Sequence, residues 1–151
     1  MASGLKTVMG QIVTQIKNAN GSGVYVHDLS ADGTVVRGAV LESPQSSVAV
    51  GVYLQNLNSD PGARLGYWER TVLVGIHGWV AHDGTEGDAE DVAADLLNDI
   101  TRALEADRTL GGNVRDINVS GTAFSGNTYG IGGWAIAAID LRVNWSLRTG
   151  V

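Results

Sequence analysis

The run from Ala135 to Leu147 alternates almost without error. Ala135, Ala137, Ile139, Leu141, Val143, Trp145 and Leu147 fall on one side, and Ala138, Asp140, Arg142, Asn144 and Ser146 on the other. A period of two belongs to a strand, and one apolar side predicts a sheet buried on that face. The run is about twice the usual strand length, long enough to extend past a normal domain core and reach a neighbouring subunit. Tyr67 to His82 is a second long β segment. There Val72, Val74, Ile76, Gly78 and Val80 alternate with Leu73, Gly75, His77, Trp79 and Ala81. Both sets are largely apolar, which predicts a central strand covered on both sides.

Two segments carry the helical period instead. Leu5, Val8, Met9, Ile12, Val13 and Ile16 share one face, and Asn20-Gly21-Ser22-Gly23 ends the helix. The second helix begins near Thr85, with Asp88 at the capping-box distance and Glu86, Glu90 and Asp91 in its first turns. Val92, Leu96, Ile100 and Ala103/Leu104 form its buried stripe, flanked by Ala93 and Leu97, and Gly111-Gly112 ends the segment. Its acids suit a solvated helix face, so they need no ligand to explain them.

The remaining β segments are shorter. Val24–Leu29 and Thr34–Val40 flank Ala31-Asp32-Gly33, which predicts a hairpin. After Ser43-Pro44 comes a strand at Ser47–Gln55, then a polar loop at Asn56–Gly66 centred on Asp60-Pro61-Gly62. Asn113–Phe124 is a strand, and Ser125–Gly133 is a glycine-rich connection to the last one. Most glycines are expected between elements, as punctuation. The predicted fold is α+β: a mainly antiparallel sheet with two helices on one face, in the order α-ββ-ββ-α-ββ, as a single domain spanning 1–151.

Charge and composition narrow the function. The net charge is −6, and nine of the sixteen acids lie between Asp83 and Asp107, so a basic face for nucleic acid is not expected. With no cysteine, disulfides and thiolate metal sites are excluded. The N-terminus lacks the apolar block of a signal peptide, and no stretch reaches the ~18 apolar residues of a membrane span. The chain is therefore expected to be soluble and intracellular.

Catalytic patterns are thin. His77 and His82 are five apart on a strand and point to opposite faces, so they cannot share a metal. His82-Asp83 resembles a fragment of a catalytic pair, yet no serine sits in a nucleophile elbow. Gly126–Gly133 precedes a strand and lacks a Lys-Ser/Thr ending, so it is not a phosphate loop. No cofactor is expected. The unusual chemistry is aromatic: Phe124, Tyr129 and Ile131 punctuate the glycine-rich connection, and Leu65, Tyr67 and Trp68 follow the Pro61-Gly62 turn. These six are candidate interface residues.

The run Gly84 to Leu97, the run Ala103-Leu104-Glu105-Ala106-Asp107-Arg108-Thr109-Leu110-Gly111-Gly112-Asn113-Val114-Arg115-Asp116-Ile117, and the closing strand Leu141-Arg142-Val143-Asn144-Trp145 resemble the tail terminator (minor tail) proteins of long-tailed bacteriophages. The opening helix and the strand Arg70–Val80 stand in matching order. The resemblance implies a non-enzymatic virion protein of the tail or neck, assembled in the host cytoplasm. It further implies a homo-hexameric ring that caps the tail tube, stops its growth and offers a surface to head-completion proteins. Partners would be other copies, the tube protein and a connector protein; DNA would only pass through the channel, and no membrane is involved. Two other readings stand beside it: a head–tail joining protein, and a small hydrolase or ligand-binding domain using His77, His82 and Asp83.

Overall fold

A computed structural model describes residues 4–38, 47–64, 67–82, 86–126 and 133–148, with the side chains at 58–69, 86 and 145–148 left aside. Its elements are α1 (Leu5–Ile16), β1 (Val35–Arg37), β2 (Val48–Arg64), β3 (Tyr67–Ala81), α2 (Glu86–Glu105), β4 (Asp116–Ser125) and β5 (Trp134–Arg148). The five strands form one sheet in the order β1-β2-β3-β5-β4. All neighbours are antiparallel except β1 and β2. The class is α+β, as expected.

The sheet's helix side carries Val50, Val52, Val72, Val74, Ile76, Ile139, Leu141 and Val143, all buried. These join Val8, Met9, Ile12 and Ile16 of α1 and Leu96, Ile100 and Leu104 of α2 in one apolar cluster. Both helices therefore lie on the same side. α2 seats closely because two strand glycines make room. A Cβ at Gly78 would stand 2.6 Å from Leu96 Cδ2, and one at Gly121 would stand 2.7 Å from Leu97 Cδ1. These two glycines, which the alternation already puts inside strands, are the contact positions for the helix.

α2 ends earlier than its sequence suggests, at Glu105 and not at Gly111-Gly112. Gln15 explains the stop. This buried α1 side chain donates its amide to the carbonyls of Leu104 and Asp107, both at 2.7 Å; the first is a last-turn acceptor that helix geometry leaves open, and the second also accepts from the Leu110 amide in the turn that follows. The chain then turns through Leu110, Gly111 and Gly112, all with positive φ. The Asp107 carboxylate accepts from the Thr109 hydroxyl and from the Thr109 and Gly111 amides, which holds its pKa below the ordinary range. The stripe is rotated slightly: Ala93 is fully buried, while Val92 lies at its flank. The proposed cap, Thr85, lies outside the described residues.

Two strand expectations fail. Val24–Leu29 is not the first arm of a hairpin; apart from an isolated bridge, Asn20 to Asp28, it makes no ladder. Its amides are satisfied by a helix instead. Buried Asp99 of α2 accepts from Val26 N–H at 3.0 Å and His27 N–H at 2.7 Å. Asp28 then turns the chain by accepting from the Ser30 hydroxyl and amide. β1 follows, short and parallel to β2. The second failure is the polar loop at Asn56–Gly66, because β2 runs on to Arg64 and pairs with β3 as far as Arg64↔Tyr67. The register breaks between Leu54 and Asn56, a bulge. It places Gln55 and Asn56 on one side and returns Leu57, opposite Val72, to the helix side. That extra residue interrupts the alternation and imitates the end of a strand. Pro61 falls in the irregular stretch between Asp60 and Arg64, where no ladder amide is needed.

Candidate functional site

Alternation puts half of the sheet's side chains away from the helices. Register aligns them across strands: Ala49, Trp79 and Ile136; Gly51, His77 and Ala138; Tyr53, Gly75 and Asp140; and Asn56, Leu73 and Arg142. From β4, Asn118, Ser120 and Phe124 continue these rows. Among the described residues no helix or strand lies over this face. The central strand is therefore covered by secondary structure on one side, not two. Apolar character on both sides of β3 reported an apolar face, but not what covers it.

The face has two halves. At the end where β5 begins, the indoles of Trp79 and Trp134 meet edge to face, with centroids 5.9 Å apart. Ile136 and Ala49 beside them are 4% and 7% exposed, while both tryptophans and Phe124 are only half-buried. Trp79 Nε1 is buried and has no hydrogen-bond partner among the described residues. A donor left in that state costs about 1–3 kcal/mol, so an acceptor arriving from outside would be rewarded.

The other half is polar. Tyr53 lies over Gly75, where its ring occupies the space a Cβ would need. Its hydroxyl meets His77 Nε2 at 3.1 Å, and the two rings are edge to face. Gln55, re-aimed by the bulge, donates to the Tyr53 hydroxyl at 3.3 Å and to Asp140 Oδ1 at 3.4 Å. Beyond them is an open cavity of about 410 Å³, lined by Gln55, Leu73, Asn118, Ser120, Asp140 and Arg142.

Burial holds the pKa of His77 below its ordinary value of 6.5, with Asp140 pulling weakly the other way. The unfolded chain therefore takes up a proton more readily than the folded one. Stability should fall as pH drops through 6.5 and level off below the folded pKa. Gly75→Ala tests the cause. Its methyl displaces the Tyr53 ring, which can swing into solvent, so the fold should survive while His77 regains water. A ring-proton NMR titration should then show the His77 pKa rising toward 6.5; an unchanged value would remove Tyr53 as the cover.

The residues singled out by sequence fare unevenly. Phe124 lies in β4, as the strand read over Asn113–Phe124 expects, and on the open face. Tyr67 and Trp68 pair in β3 with Arg148 and Leu147, with only their backbones described. Leu65, Tyr129 and Ile131 lie outside the described residues, as do Asp83 and most of the glycine-rich connection. His82 follows the end of β3, where its amide donates to the Gly133 carbonyl. His77 is engaged with Tyr53, so the structure gathers no His77–His82 pair. Among the described residues no cluster of three metal-binding side chains occurs, and no helix is long and apolar enough to cross a membrane. Sequence reading missed Trp134, Ile136 and Tyr53; their shared face with Trp79 needed the register between strands. No protein-family model matches the chain, and a search of curated proteins finds no significant match.

Proposed function

We propose that this protein is a structural subunit of a homo-ring that caps a phage tail tube, working by assembly and not by catalysis. The observation that carries the reading is the open face of the sheet. A helix-free face bearing Trp79, Trp134, Ile136 and Phe124 suits burial against other protein, since aromatic side chains are enriched in interface cores. The resemblance of the Gly84–Trp145 region to tail terminators supplies the station, with the tube protein and a head-completion protein as the other partners. A subunit that repeats one head-to-tail contact closes into a ring when its rotation allows. Negative-stain imaging of concentrated protein, alone and mixed with tail tubes, should reveal closed rings with a central hole, six-fold on this reading. Open filaments, or monomers under both conditions, would overturn it.

A further inference from the structure

A ring needs two different surfaces on each subunit, and among the described residues two grooves lie on opposite sides of the sheet. The first is the polar groove of the open sheet face, where Asp140 and Arg142 stand two apart on β5. Strand geometry spaces them by about 7 Å along the same face. Both are exposed, and no ion pair joins them. The second groove, about 460 Å³, lies on the helix side between α2 and the segment after α1. Val24, Asn98, Arg102 and Glu105 line it. Arg102 and Glu105 stand three apart on α2, which puts their side chains on one face at about 5–6 Å. Val24 beside them is 60% exposed. Glu105 has one weak tie, a 4.0 Å approach to Arg108, whose guanidinium is already held by Asp116 at 2.9 Å.

We infer that the helix-side groove of one copy docks on the sheet-face groove of the next, Arg102 facing Asp140 and Glu105 facing Arg142. The proposal rests on the ring reading and names its interface. The two pairs have opposite order of charge and similar spacing, so a single approach satisfies both. Val24 and Leu73 provide apolar contact beside them. Because the grooves are on opposite sides of the chain, the contact cannot close within one molecule and must propagate from copy to copy. Charges at such a contact mainly fix partner and register, which a ring requires at every step.

The absence of cysteine makes the test clean. A chain carrying Asn98→Cys and Asn118→Cys has one thiol in each groove, too far apart for an internal disulfide. Mild oxidation of the concentrated protein should yield a ladder of covalent multimers, while either single substitution stops at dimers. Adding Arg102→Glu should abolish the ladder, and adding Asp140→Arg as well should restore it. All four sites are exposed, so unchanged thermal melts confirm that folding is intact. If sedimentation detects oligomers but the double-cysteine chain gives no ladder, the ring reading survives and this interface is wrong. A ladder indifferent to Arg102→Glu would remove the charge pairing. If neither oligomers nor ladder appear, with tubes present or absent, the ring reading itself fails.

Discussion

Leu96→Ala is expected to lower the unfolding free energy by about 2–5 kcal/mol, the range for truncating a fully buried leucine. Leu96 is 0% exposed and packs on β3 at Gly78. Its Cδ2 reaches so near Gly78 that a Cβ there would be only 2.6 Å away. The backbone of a central strand cannot collapse into the vacated space, so the upper half of the range is favoured. Gly78→Ala alone should overpack the same site at about 1–3 kcal/mol. Combined, the two changes should cost less than their sum, because the new methyl enters the void left by the leucine. Urea denaturation of the four proteins measures all three quantities. A loss below about 0.5 kcal/mol for Leu96→Ala would mean that the helix stripe is misassigned, and strict additivity would mean that Leu96 and Gly78 do not meet.

How far the sequence reveals this fold depends on whether a segment's neighbours are encoded locally. The α1 stripe and the β5 alternation read correctly because each carries its own period over many residues, and burial follows it: Val8, Met9, Ile12 and Ile16, then Ala135, Ala137, Ile139, Leu141 and Val143. The segment at Val24–Leu29 reads wrongly because its amides answer to Asp99, more than seventy residues away. Nothing at Val24 announces that partner. The end of β2 reads wrongly for a local reason, since the extra residue at Gln55 shifts the alternation by one. The alternation puts Gly78 and Gly121 inside strands, but the close seating that needs them shows only once the helix that rests on them is in place.

The candidate site is legible only in part for the same reason. Sequence alone lists His77 and Trp79 on one side of a strand. It does not tell that Tyr53 comes to lie over Gly75, or that Trp134 joins Trp79 across the register. Side choice within a strand is a period-two property, whereas the cover over a face is decided by where the helices go. In this protein both helices go to the same side, and among the described residues no helix or strand covers the aromatic residues of the other.

Asp99→Ala is expected to cost about 2–3 kcal/mol and to release the segment at Val24–Leu29 before the rest of the fold. The carboxylate is 2% exposed and accepts from three donors: Val26 N–H at 3.0 Å, His27 N–H at 2.7 Å and the His27 ring, whose Nδ1 lies at 3.0 Å. Hydrogen bonds to a charged acceptor contribute about 1.5–3 kcal/mol each, and donors stranded without one bear the desolvation penalty. The sum is moderated because the segment is only partly buried and water can reach it once it lifts. Asp99→Asn should be intermediate or worse, since one carboxylate oxygen becomes an NH₂ that faces donors. Amide hydrogen exchange separates the local effect from the global one. Val26 and His27 should lose protection far more than Val74 or Leu141 in the sheet core. Because Val24 and Tyr25 wall the helix-side groove, the same variant should also weaken the covalent ladder of the double-cysteine chain while leaving the sheet-face groove intact. Unchanged protection at Val26 and His27, with an unchanged melt, would show that the segment is held by its side chains and that the Asp99 clamp is incidental.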